Sequence, residues 1–244
     1  NLEQQNFYLR YVVNRFSAYH NVWWAMANEF DLFRWKPVSE WESNAETVCR
    51  QDPYRHLRSI HNCIPIYDYN EPWCTHCSIQ RVDVTRTTEC IADWKRAYGK
   101  PVVCDEPGYE GNIYWGWGNL TGTELMRRFW EGAMRGGYVT HGETYIDQGE
   151  QVWWAHGGEL HGEAPERIAF MRGIFSDAPL DATPLDATVP QDEAWPVAAA
   201  LPEGMTLSAG LEKGMQYWDV PVLRSGCDYQ LVYFGWYRPA YREF

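Results

Sequence analysis

The sequence predicts an α/β fold, the C-terminal part of a (β/α)8 TIM barrel followed by the start of a small all-β domain. Short apolar runs alternate with helical segments about five times, the pattern of a parallel sheet covered by helices. Each run ends abruptly in polar residues, as barrel strands do where their C-terminal ends carry a site. No Gly-rich phosphate loop follows any of these runs, which favours the barrel over a doubly wound sheet.

Taken in order, Phe7, Tyr11, Val12, Phe16 and Tyr19 recur at helical spacing. Val22-Trp-Trp-Ala-Met-Ala27 then reads as a buried parallel strand ending in Asn28-Glu29. Leu57-Arg-Ser-Ile60 is a second strand, leading into His61-Asn62, and Thr75 to Gln80 is a third. A helix is expected from about Val84 to Tyr98, stopped by Gly99 just past its end. Pro101-Val-Val-Cys104 forms the next strand and delivers Asp105-Glu106. Thr121-Gly-Thr-Glu124 fits a capping box that opens a helix to about Arg135, closed by Gly136-Gly137. Tyr138-Val-Thr140 leads to His141-Gly-Glu143, and a last helix spans Pro165 to Phe175 with Pro at the tolerated first turn.

Residues 1–178 are therefore expected to be the C-terminal portion of the barrel. About five strand units do not close a barrel of eight, so the chain reads as a portion of a longer one. From 179 to 204 the composition shifts to Pro, Ala, Asp and Thr, with Pro-Leu-Asp-Ala-Thr occurring twice, which reads as an exposed connection. Beyond it, Met215 to Val220 and Tyr229 to Phe234 look like strands of a truncated β-domain over 205–244. The opening NLEQQNFYLR lacks the apolar stretch of a signal peptide.

A formal net charge of -12 repels phosphate backbones and anionic membrane surfaces, so neither nucleic acid nor membrane is an expected partner. Fourteen Trp and 16 Tyr supply flat faces with polar edges, suited to stacking on the C–H faces of sugars; packing in a large core accounts for about half of them. The seven Cys form no regular framework, which predicts thiols in a reducing compartment and a cytoplasmic protein. Cys74-Thr-His-Cys77 is a lone C-x-x-C pair; a zinc site wants a second pair. His156, Glu159 and His161 do not have the H-E-x-x-H spacing and are interrupted by two Gly, so no metal and no cofactor is expected.

Glycosidic bond cleavage needs two carboxyl groups, one to protonate the leaving oxygen and one to attack or to activate water. Glu29 and Glu106 are candidates because each follows an apolar strand directly, whereas an arbitrary Glu is usually a solvated loop residue. Glu110 is a rival to Glu106, but lies past the strand end on what reads as a mobile loop.

The phrase Val22 to Phe30, with its Asn28-Glu29 pair, resembles the fourth barrel strand of clan A glycoside hydrolases. Lys100 to Glu106 resembles the seventh. The chain is most similar to the apiosidase-like branch of that clan, through Arg58-Ser-Ile-His-Asn62, Thr75 to Gln80, Asp105 to Asn112, Arg128-Phe-Trp-Glu-Gly132 and Gly137 to Tyr145. That branch carries a C-terminal β-sandwich domain once labelled collagen-binding. The resemblance implies a retaining glycosidase acting on an oligo- or polysaccharide, with Glu29 as acid/base and Glu106 as nucleophile. It also implies sugar-binding roles for Asn28, His61, Asn62, His141 and Glu143, with Trp153 and Trp154 as a stacking platform. The competing expectation is a non-catalytic carbohydrate-binding or scaffold protein on the same barrel.

Overall fold

The structure, a computed structural model, describes residues 1–80, 88–147, 150–152, 159–184 and 221–235. In chain order its elements are α1 (Leu2–Phe16), β1 (Trp24–Ala25), α2 (Val38–Gln51), β2 (Arg58–Ser59), β3 (Cys77–Gln80), α3 (Ile91–Tyr98), β4 (Val102–Glu106), β5 (Glu110–Gly111), α4 (Gly122–Met134), β6 (Tyr138–Val139), β7 (Glu143–Asp147), β8 (Glu150–Val152), α5 (Ala164–Ser176), β9 (Thr183–Pro184), β10 (Val222–Ser225) and β11 (Tyr229–Val232). The chain divides into two compact units, one of residues 1–108 with 138–140, the other of 109–137 with 141–244.

In the first unit the strands run parallel and in chain order. Trp24 pairs with Arg58, a bridge joins His61 to Ser78, β3 pairs with β4, and β4 pairs with β6. Sequential parallel neighbours send all their C-terminal ends to one edge. That edge carries Glu29 after β1, His61-Asn62 after β2, Gln80 on β3, Asp105-Glu106 on β4 and Thr140 after β6.

The first strand is shorter and wetter than its apolar run suggests. Backbone pairing continues from Trp24 N→Leu57 O (2.8 Å) through Met26 N→Ser59 O (2.9 Å) to His61 N→Ala27 O (3.1 Å). Ala25 is nevertheless exposed and Trp24 only half-buried. Among the described residues β1 has β2 as its one strand neighbour.

The core of this unit gathers Trp41, Ile60, Tyr67, Tyr69, Trp73, Ile79, Ile91, Trp94 and Val102. Tyr69 is wholly buried, and its hydroxyl lies against the carbonyl oxygens of Ile60 (2.9 Å) and Ser78, tying β2 to β3. At the end of α3, Gly99 takes φ +61, a left-handed conformation that glycine adopts without steric cost, and its N–H closes on Lys95 O (2.9 Å). Residues 84–87 of the expected helix lie outside the described residues, and a short 3-10 turn, Thr88–Cys90, leads into α3.

In the second unit β5, β7 and β8 form one sheet, and β9, β10 and β11 form an antiparallel one. β9 comes from the segment that reads as a connection, pairing Thr183 with Arg224. β11 falls within the expected Tyr229–Phe234 strand; Met215–Val220 lies outside the described residues. The capping box at α4 is half made. Thr121 accepts from Glu124 N (3.1 Å), but the Glu124 carboxylate turns to Arg127 and Arg128, each at 2.9 Å, instead of returning to the Thr121 N–H. Two neighbouring cations outweigh one amide for a carboxylate.

Candidate active site

Glu29 leaves β1 in an unusual backbone state. Its φ of 49° and ψ of 56° lie in the left-handed region, which non-glycine residues rarely occupy and which costs about 1–3 kcal/mol. Hydrogen bonds on either side hold it there: His61 N→Ala27 O (3.1 Å) before it and Phe30 N→His61 O (2.8 Å) after it. Asp31 then accepts from Cys63 N (2.6 Å) and Ile64 N (3.0 Å), locking the loop after β1 to the loop after β2. The half-buried Glu29 carboxylate accepts from Gln80 Nε2 at 3.1 Å. The Cys63 thiol is its second neighbour; burial, then the hydrogen bond to Glu29, pushes that thiol up to about 11.

His61 is the hub. It is 3% exposed, with Nδ1 3.2 Å from Ser78 Oγ and 3.6 Å from Asp105 Oδ2, and Nε2 3.1 Å from Gln80 Oε1 and 3.4 Å from Glu106 Oε1. The proton count follows from these neighbours. Ser78 gives its single hydroxyl proton to the Asp105 carboxylate, which accepts only. Nδ1 must then donate to Ser78, while Nε2 faces two acceptor oxygens and must donate as well. Both ring nitrogens carry protons, and His61 is an imidazolium. Burial alone would lower its pKa; the hydrogen bonds and charges of Asp105 and Glu106 outweigh burial and raise it to about 9. A fixed cation thus stands beside Glu106 across the neutral range.

The Asn28 side chain is exposed at the end of β1. Asn62 is not free to meet a sugar. It is wholly buried, its amide donating to Gln80 O (3.4 Å) and accepting from Gln80 N (3.3 Å), so it clamps the end of β3.

In the second unit Glu110 is buried and held by backbone amides rather than lying on a mobile loop. It is 3% exposed; Oε1 accepts from Glu163 N (2.8 Å) and Oε2 from Ala164 N (2.9 Å), satisfying amides at the start of α5. Glu143 does the same one step earlier, its Oε2 accepting from His161 N (2.7 Å) and Gly162 N (3.0 Å). Its side chain is fully buried, with Oε1 3.5 Å from His141 Nε2, and His141 is the more exposed of the two. Gly162 sits between the two carboxylates. A Cβ there would overlap Glu110 Oε2 and come within 2.8 Å of Glu143 Oε1. Both carboxylates are pinned by backbone amides, so Gly162→Ala is expected to destabilise the fold by about 2–3 kcal/mol. Urea unfolding checks this; an unchanged midpoint would mean that the carboxylates can move aside.

Trp153 and Trp154 lie outside the described residues. Cys74 and Cys77 are buried thiols, both pushed up to about 12 by burial, the reverse of what a redox pair or a thiolate metal site needs. Among the described residues no group of three or more His, Cys, Asp or Glu is placed to hold a metal, and no helix is long and apolar enough to cross a membrane. Sequence reasoning passed over Ser78, Gln80 and Asp105. The signal for Gln80 and Asp105 was the one already used for Glu106, a polar residue at a strand's C-terminal end.

A family model described as the apiosidase-like catalytic domain matches residues 1–199. Among solved structures, a candidate glycoside hydrolase from Bacteroides vulgatus ATCC 8482 is 39% identical with a TM-score of 0.73, over 79% of this chain and 37% of its own. A second, described as a glycoside hydrolase, is 17% identical with a TM-score of 0.65, over 95% of this chain and 55% of its own, and shares the fold. The chain thus spans about two-fifths to just over half the length of these structures. Comparison with curated proteins returned no match.

Proposed function

The chain belongs to the apiosidase-like catalytic domain family, and on that premise we propose that it is part of a retaining clan A glycoside hydrolase acting on an oligo- or polysaccharide. We read residues 1–178 as the C-terminal portion of its (β/α)8 barrel, 179–204 as a connection and 205–244 as the start of a β-sandwich domain. One observation carries the catalytic reading: Glu29 and Glu106, at the ends of β1 and β4, are joined through Gln80 and His61.

In the first step Glu29 protonates the glycosidic oxygen while a Glu106 oxygen attacks the anomeric carbon, and the leaving alcohol departs. A glycosyl ester on Glu106 results. In the second step Glu29, now a carboxylate, takes a proton from water; the water oxygen attacks the same carbon and Glu106 is released as its anion. The His61 imidazolium is already in position to receive that returning charge, without reorganisation. Asn28 is proposed to hold a sugar hydroxyl, and His141 and the Trp153-Trp154 pair, the latter as a stacking platform, are further proposed sugar-binding residues. Two carboxyl groups and water suffice, and no cofactor enters the chemistry. The cysteine usage supports a cytoplasmic location, which fractionation of the source cells checks.

The reaction's stereochemistry tests the reading. Hydrolysis of a panel of aryl glycosides, followed by proton NMR in the first minutes, is expected to release the sugar with its anomeric configuration retained. Release of the opposite anomer would exclude the covalent intermediate. Saturable sugar binding with no turnover would point instead to a carbohydrate-binding scaffold.

A further inference from the structure

We propose that Gln80 is a positioning residue for this same reaction: its one amide holds Glu29 and His61, and through His61 Glu106, in a single register, and it assigns the acid's proton to Oε2 of Glu29. The inference rests on the glycosidase reading above.

Gln80 ends β3 and is 8% exposed, with its backbone N–H and C=O both clamped by Asn62 (3.3 and 3.4 Å). A side chain on so fixed a base has little freedom. Its Nε2 donates to Glu29 Oε1 at 3.1 Å, and its Oε1 accepts from His61 Nε2 at 3.1 Å. The orientation of the amide is set by these neighbours, because an amide nitrogen only donates and an amide oxygen only accepts. Reversing it would turn the amide nitrogen toward the His61 Nε2–H.

A consequence follows for the acid. A protonated carboxyl has one hydroxyl oxygen and one bare oxygen, and the bare one, the stronger acceptor, is the better partner for the Gln80 N–H. The proton that Glu29 delivers therefore resides on Oε2. After delivery Gln80 keeps donating to the same Oε1, so Glu29 recovers a proton from water on Oε2 in the second step without turning over. One amide thus serves both half-reactions, and it does so through Glu29, not by touching substrate.

A buried glutamine that merely satisfies its own polar atoms would affect every substrate alike. A residue acting through the acid would affect substrates according to their need for protonation. The experiment uses two aryl glycosides of the same sugar, a phenyl glycoside, whose leaving group needs the acid, and a 2,4-dinitrophenyl glycoside, whose leaving group does not. Gln80→Leu is expected to lower kcat/KM about 100-fold on the phenyl substrate and less than about 5-fold on the dinitrophenyl one. Gln80→Glu keeps the shape but sets a negative charge beside Glu29; it is expected to move the basic limb of the pH profile of kcat/KM upward by about one unit. Equal losses on both substrates, with an unmoved basic limb, would overturn the proposal and leave Gln80 a framework residue. Should Gln80→Leu not fold, the isosteric Gln80→Glu decides through its pH limb alone. If wild-type protein hydrolyses none of the panel, or if Glu29→Ala and Glu106→Gln retain full turnover, the glycosidase reading falls and this inference with it. If those two variants are inactive while both Gln80 variants match wild type, only this inference falls.

Discussion

Glu106→Gln is expected to lower kcat by about 10⁴-fold or more on every substrate, whatever its leaving group, with KM little changed. The amide has the shape of the carboxylate but no anionic oxygen to form the ester bond, so the loss lies in chemistry and not in binding. A 2-deoxy-2-fluoro glycoside with an activated leaving group should label wild-type protein covalently, with the sugar on the peptide containing Glu106, and should leave the variant unlabelled. The same peptide holds Glu110, so fragmentation must locate the sugar; attachment at Glu110, whose two oxygens both accept from the backbone of α5, would refute the assignment. The substitution has a second readout that needs no substrate. Removing the negative charge 3.4 Å from His61 Nε2 takes away one of the interactions that raise the ring, so its titration should move down from about 9. Nitrogen-detected NMR of the His61 ring follows that change directly. An unmoved ring would show that Glu106 does not hold the cation.

Glu29→Ala is expected to slow substrates with poor leaving groups by about 10²–10⁴-fold, the range that general acid catalysis contributes. Activated aryl glycosides should still form the glycosyl ester and then stall, because no base remains to deprotonate water. Added azide needs no deprotonation, so it should restore turnover of the activated substrate and yield a glycosyl azide of retained configuration. Failure of azide to rescue, together with uniform loss on all leaving groups, would remove Glu29 from the acid/base role. The left-handed backbone at Glu29 adds a structural expectation. Alanine tolerates φ of 49° no better than glutamate does, so this variant should not gain stability.

Much of the molecule was legible before any coordinates. The strand sites were readable because a buried strand announces itself as a short apolar run, and the break to polar residues marks its C-terminal end. Hence Glu29, His61, Asn62 and Glu106 were found as edge residues from local pattern alone. Gly99 as helix stop and Pro165 in the first turn of α5 were readable for a similar reason, since the backbone geometry required is set within a few residues.

The roles of those residues were legible only in part. Asn62 and His61 are neighbours in the chain, yet one clamps the backbone of Gln80 while the other joins two carboxylates. Glu110 and Glu143 carry the same carboxylate as Glu106 and also stand in or beside strands, yet both are turned onto the amides of residues 161–164. Nothing within reach of a sequence window separates these cases. A carboxylate's function depends on which donors converge on it, and here the donors come from 18 to 54 residues away.

By itself, then, the sequence determined the alternation of strand and helix, the edge at which polar groups would gather, and the kind of chemistry two strand-end carboxylates permit. Only the tertiary structure decided that His61 carries two protons, that Gln80 couples Glu29 to it, and that Glu110 supports a helix. Periodicity and propensity are local properties of a chain. Protonation state and hydrogen-bond partnership belong to groups that folding brings together, and they exist only once the strands lie side by side.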